Sequence, residues 1–201
     1  MAFDPLRHHR RSIRLKGYDY SQAGAYFVTI FVQGRECLFG DVVNNEMQYN
    51  DAGKMICAEW EALVQRFPTI ELDEWIVMPN HLHGIIVIVD SVGASLVDAP
   101  DRAEVNPASA SKSTLGDIVG AFKSISTNQY IEGVHHKGWL PFFKKLWQRN
   151  YHEHIVHNER ELGAIRKYIR NNPAQWMLDR DHPNNVPPKS IDDYLHDAGI
   201  L

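Results

Sequence analysis

The sequence predicts an α+β protein: a ferredoxin-like sandwich in which helices pack on an antiparallel sheet. Three observations carry this expectation. Two strand-like runs, 72–77 and 81–89, are separated only by Met78-Pro79-Asn80, a span suited to a hairpin turn. Two other segments, 115–125 and 162–169, space their apolar residues at helical intervals. In chain order the elements read β, hairpin, α, β, β, α, β, α, which is two β-α-β units around one sheet.

Each element has its own warrant. Ala25-Tyr-Phe-Val-Thr-Ile-Phe-Val32 is rich in β-branched and aromatic residues and reads as a strand ended by Gly34. Residues 37–49 read as a hairpin turning at Asn44-Asn45, both of which tolerate positive φ. A helix from Ala52 to Arg66 carries a stripe of Met55, Ile56, Ala58, Leu63 and Phe67 and is stopped by Pro68. The run Gly84-Ile-Ile-Val-Ile-Val89 is apolar enough for a central strand covered on both faces. Leu115, Ile118, Val119, Phe122 and Ile125 form a helical stripe, with Lys123 beside it. Residues 132–146 read as a connection and Trp147 to Val156 as a fourth strand. Asn158 caps the last helix, with Glu161 placed for a capping box, and Pro173 is expected to break that helix after Asn172.

The expected organisation is a basic N-terminal arm (1–24), a catalytic domain (25–178) and a C-terminal tail (179–201). A small, polar, Pro-containing insertion, 91–113, is expected to be flexible. A length of 201 residues with 44% hydrophobic content suits one domain with a sizeable core. No stretch approaches the roughly 18 apolar residues of a membrane span. The basic N-terminus lacks the apolar region of a secretory signal, so a cytoplasmic location is expected. Cys37 and Cys57 form no metal-like or disulfide-like pattern and read as buried free thiols. The net charge of −4 argues against a generic nucleic-acid binder, but its distribution is uneven. Residues 1–16 carry +4 and residues 113–180 carry +4, against −9 over 17–112 and −3 over 181–201. Positive charge gathered on one face suits a phosphate backbone.

Two residue sets bear on chemistry. In His81-Leu82-His83, strand alternation sends both imidazoles to one face, a natural pair of metal ligands. A chain with eleven histidines also produces such pairs by chance, and His152-Glu153-His154 is a second instance. On the last helix, Tyr168 and Asn172 lie four residues apart, along the rim of the stripe Leu162, Ile165 and Ile169. Read alone, a rim tyrosine is usually a packing residue, and Asn before Pro is a common helix end.

Several ordered motifs add to this: Trp75-Ile-Val-Met-Pro-Asn-His-Leu-His-Gly84, the helix Leu115-Gly-Asp-Ile-Val-Gly-Ala-Phe-Lys123, Trp147-Gln-Arg-Asn-Tyr-His-Glu-His154, and Tyr168-Ile-Arg-Asn-Asn-Pro173. Over residues 12–178 the sequence resembles the REP-associated tyrosine transposases, a single-tyrosine branch of the HUH (His-hydrophobic-His) endonucleases. The resemblance implies that His81 and His83 are metal ligands, with Asn172 as the third, and that Tyr168 is the nucleophile. It implies Mg²⁺ or Mn²⁺ as cofactor and single-stranded or hairpin DNA as partner, with a homodimer or a monomer as the assembly. The implied reaction is nicking and rejoining through a 5′-phosphotyrosine. The longer, acidic linker at 91–113 and the negative total charge depart from the family pattern.

Such chemistry suits these residue types. A phosphodiester repels nucleophiles, and a phenol of pKa near ~10 needs help at neutral pH. A divalent cation on two imidazoles and an amide supplies that help and leaves positions open for phosphate oxygens. Lys123, Arg149, Arg166, Lys167 and Arg170 are candidate DNA contacts or, equally, solvated charges. Arg10, Arg11 and Arg14 in the arm are further DNA-contact candidates. His154 reads as a neighbour of the site and not a ligand. Two rival functions stay open at this level: a DNA-binding module without cleavage, and a metal hydrolase that uses water.

Overall fold

The computed structural model describes residue 15, residues 17–90 and 112–178, and the positions 182, 195, 196 and 199. Arg10, Arg11, Arg14, most of the 91–113 insertion and most of the 179–201 tail lie outside the described residues.

The main sheet has four strands: β1 (Gly24–Phe31), β4 (Ile70–Met78), β5 (His81–Ile88) and β6 (His152–Val156). Their order is β4-β5-β1-β6 and every neighbouring pair is antiparallel. A separate hairpin, β2 (Gly40–Val43) and β3 (Glu46–Tyr49), turns at Asn44 and Asn45, whose φ angles are 53° and 66°. Helix α1 (Asp51–Glu61), continued by the short α2 (Leu63–Arg66), leads from the β2-β3 hairpin to β4, and α3 (Leu115–Lys137) connects β5 to β6. Helix α4 (Glu159–Gln175) follows β6. This is the predicted α+β sandwich.

Strand alternation divides the molecule into two cores. Val28, Ile30, Leu82 and Ile86 point to one face and pack with Ile56 and Trp60 of α1 and with Ile118, Val119 and Phe122 of α3. Phe27 and Ile85 point to the other face and pack with Ile165 and Ile169 of α4. Because β5 is covered on both faces, His81 and His83 emerge into the smaller core under α4.

Several local expectations need correction. The helix read over 52–66 forms as two pieces that meet at Ala62. Helix α3 continues through residues 132–137 to a C-cap at Gly138 (φ 69°), where a connection was expected. The apolar stripe fades there because Gly133 takes the place of a side chain: the Trp139 ring packs so closely that a Cβ would meet it at 2.0 Å. Strand β6 begins at His152 and not at Trp147, which makes only an isolated bridge to Val32. Trp147 instead turns into the α3-side core, where its Nε1 donates to Ser126 Oγ at 2.9 Å.

Pro173 does not break α4; the helix runs on to Gln175 and a 3-10 turn, Trp176–Leu178. Its ring is buried, and so near the helix end one lost N–H bond is tolerable. The Asn158 cap forms, but the Glu161 carboxylate accepts from His157 N and His154 Nε2, so the reciprocal half of the capping box is absent. The cysteines are free, but Cys37 is exposed on the loop before β2 and Cys57 only partly covered.

Candidate active site

Helix α4 crosses the face of the sheet that bears the two imidazoles, and polar ties hold it at both outer strands. At β6, Glu161 Oε1 meets His154 Nε2 at 2.6 Å. At β4, Arg166 Nε donates to Asp73 Oδ1 at 2.8 Å, and Arg170 NH1 donates to Glu74 Oε2 at 2.7 Å. Asp73 and Glu74 form a bulge: the register slips between Leu72 and Trp75, so two residues of β4 oppose one of β5. The bulge presents consecutive carboxylates to arginines one helical turn apart.

The last turns of α4 then lie over the imidazole pair. The Tyr168 ring sits 5.2 Å from the His83 ring and 6.1 Å, edge-on, from Phe27. Eight residues later Trp176 lies 6.0 Å from the His81 ring. Asn172 falls midway on the same stripe, 2% exposed. Its Oδ1 is buried without a hydrogen-bond partner. An orphaned amide oxygen costs about 1–3 kcal/mol, which points to a ligand that the protein alone does not supply.

The imidazoles are oriented from behind. Asn80 Nδ2 donates to Arg35 O at 3.1 Å, which turns Asn80 Oδ1 toward His81 Nδ1 at 2.8 Å. His81 Nδ1 is therefore the protonated nitrogen, and its Nε2 carries a lone pair. Thr29 Oγ1 holds His83 Nδ1 at 2.9 Å, and the two Nε2 atoms face each other at 3.0 Å. Both rings are buried, and burial keeps them uncharged. His83 is pushed down to about 3; His81 lies well below its ordinary value, first through burial and then through His83 and Arg35. Neutral imidazoles are the form that binds metal. Among the described residues no cluster of three or more His, Cys, Asp or Glu side chains is gathered. A metal here would rest on two imidazoles and an amide oxygen, and the lone Asn172 oxygen fits that donor set.

His81, His83, Tyr168 and Asn172 are thus brought together on one face. The other candidates are not. Lys123 sits on α3, across the sheet, and its Nζ donates to the carbonyls of Gln148 and Asn150 at 3.0 and 2.9 Å. Arg149 is exposed at the sheet's end. Arg166 and Arg170 are engaged by carboxylates, and Lys167 is exposed on the outer side of α4. His152 and His154 share the imidazole face but lie two strands away, across β1. Asn80, Thr29, Arg35 and Trp176 were missed by the sequence reading. Thr29 carried a signal, as a lone polar residue in an otherwise apolar strand.

No family model matches the sequence. The chain is 41% identical over 177 residues to an uncharacterized protein of Haemophilus influenzae, covering 86% of this chain and 93% of that one. The chain belongs to the same family as this Haemophilus protein. Among solved structures it resembles a REP-associated tyrosine transposase bound to a REP hairpin, with TM-score 0.50 and 17% identity, over 81% of this chain and 73% of that one. A candidate transposase from Deinococcus radiodurans is similar at TM-score 0.42 and 17% identity, over 79% and 95% of the two chains. The first likeness shows that this chain has the fold of the hairpin-bound transposase. Among the described residues no helix is long and apolar enough to cross a membrane.

Proposed function

We propose that this chain is a metal-dependent endonuclease and strand transferase for single-stranded DNA: a transposase that forms a 5′-phosphotyrosine on Tyr168 and acts on hairpin-forming palindromic repeats. One observation carries the reading. Two neutral imidazoles with facing Nε2 atoms, a buried amide oxygen without a partner, and a phenol converge under α4. A fold shared with a transposase bound to a hairpin supports it.

His81 Nε2, His83 Nε2 and Asn172 Oδ1 would hold Mg²⁺ or Mn²⁺. Bound there, the ion supplies Lewis-acid polarisation of a phosphate oxygen. The chain's residues do the rest. Tyr168 Oη bonds to phosphorus and loses its proton, while the bond from phosphorus to the 3′ oxygen breaks. That oxygen takes up a proton and leaves as a 3′-hydroxyl. Attack by a 3′-hydroxyl on the adduct reverses the sequence, joins strands without ATP and restores the phenol. Asn80 and Thr29 keep both Nε2 atoms turned toward the phenol's side of the sheet, and the bulge ion pairs hold α4 at the matching height.

The test is to incubate purified protein with Mn²⁺ and a labelled hairpin oligonucleotide and to look for a denaturant-resistant protein–DNA species. It is expected with the wild type and absent in Tyr168→Phe and His83→Ala. Multiple turnover without any adduct would replace this reading with a water-using hydrolase. Binding without cleavage across a panel of hairpins would replace it with a binding module.

A further inference from the structure

The connector from α3 to β6 has a composition that the proposed active site does not use. Residues 138–149 hold Lys144, Lys145 and Arg149 and no carboxylate, in a chain of net charge −4. The same connector leaves Phe143 70% exposed and Leu140 64% exposed. Phe143 and Lys144 form one unit, with Nζ 4.8 Å from the ring centroid. Beside them a groove of about 380 Å³ opens between α3 and the connector, lined among others by Asn128, Lys145, Trp147 and Arg149.

Arg149 also lines a second depression of about 540 Å³, together with Gln33, Arg35 and Asn150. Lys123 fixes this junction, because its two bonds go to the carbonyls on either side of Arg149. On the far side, Arg35 lies 4.6 Å over the Phe31 ring, which is itself 5.5 Å from His81. Arg35 and Arg149 thus line one depression, and Arg149 and Gln148 carry its wall into the basic groove, at the sheet end beside the buried imidazole pair.

We propose that these two depressions form a track for a single strand of nucleic acid, running past the sheet end beside the imidazole pair, with Arg35, Arg149 and Lys145 on phosphates and Phe143 under a base. The proposal rests on the DNA-handling reading given above. A single strand is favoured over a duplex because only unstacked bases offer faces to an exposed ring, and cations beside aromatics are the recurring pattern of such grooves. Charge complementarity supports the choice: the connector concentrates cations in an otherwise acidic chain.

The experiment measures fluorescence anisotropy with the full chain carrying Tyr168→Phe, so that binding is read without cleavage. The probes are a blunt labelled hairpin and the same hairpin with an oligo(dT) extension on either end. Lys144→Ala/Lys145→Ala/Arg149→Ala should weaken binding of one extended hairpin about tenfold or more at low salt. It should leave the blunt hairpin within about twofold and flatten the salt slope by about two to three charges. Phe143→Ala should cost about fivefold or more on the same probe with the slope unchanged. Lys54→Ala, an exposed lysine on α1, serves as the charge control and should change neither. Unaltered binding of extended hairpins in the triple variant, or equal loss on blunt and extended probes, overturns the track. An acidic peptide competing as well as oligo(dT) overturns it in favour of a protein partner. Adduct formation by the wild type is scored separately, so either reading can fail alone.

Discussion

Replacing Gly84 by alanine puts the placement of the imidazole strand to a direct test. Gly84 follows His83 on β5 and faces α1, where an added Cβ would lie 2.4 Å from Trp60 Cζ2 and 3.1 Å from Cε2. Ordinary contact begins near 3.4 Å, so the indole must retreat by about 1 Å or β5 must bow toward α4. Retreat is blocked: Trp60 is fully buried and meets Phe122 edge-on at 5.2 Å. Overpacking of this kind costs about 1–3 kcal/mol. For a chain of this size each kcal/mol is worth about 2–4 °C, so the melting midpoint should fall by about 2–12 °C. Urea denaturation and thermal melting measure both quantities. Trp60→Phe removes the ring portion that the methyl would strike, so the double variant should lose less than the sum of the singles, by at least about 0.5 kcal/mol. Because the strand that would bow carries His81 and His83, adduct formation should fall below what the folded fraction alone explains. A Gly84→Ala protein within about 0.5 kcal/mol of wild type, or strict additivity with Trp60→Phe, would refute the reasoning.

The remaining predictions concern the site and its supports. Asn172→Leu removes the orphaned oxygen, so the metal-free protein should be as stable as wild type or more so, by up to about 1 kcal/mol. The rise in melting temperature on adding Mn²⁺ should vanish with it; a retained metal shift would exclude Asn172 as a ligand. Thr29→Val takes away the partner of His83 Nδ1, and titration should show Mn²⁺ binding about 10–100-fold weaker while Tyr168→Phe binds normally. Arg166→Met breaks a partly exposed ion pair, so stability should change by less than about 1 kcal/mol, yet adduct formation should drop because α4 is no longer held at the bulge. If DNA affinity falls and the catalytic step does not, Arg166 is a DNA contact instead.

The same pair sets an acid limb. The Arg166 guanidinium, hydrogen-bonded to Asp73, holds that carboxyl below its ordinary 3.8. Its contribution is present above about pH 4 and is lost as pH falls through the lower folded-state value. Acid unfolding of Arg166→Met should show a shallower loss below pH 4 than the wild type.

Sequence by itself determined the element types, the antiparallel hairpin that carries the histidines, and the amphipathic last helix. These follow from local periodicity: period two sends His81 and His83 to one face, and a four-residue step puts Tyr168 and Asn172 on one stripe. Local rules failed where tertiary contacts outvoted them. Gly133 falls in the stretch 132–146 that local rules make a connection, yet it lies inside α3 as the seat of Trp139, while Trp147, a strand residue by the same rules, is pulled into the core by Ser126. Pro173 was read as a stop and is buried inside a helix whose packing outweighs one missing bond. The partners of charged and polar groups were invisible for the same reason. Nothing near Arg166 or Arg170 in sequence announces Asp73 and Glu74, ninety-odd positions away, nor does anything near Asn80 announce Arg35. Periodicity fixes the direction a side chain leaves its own element, and only the packing of elements decides what it meets.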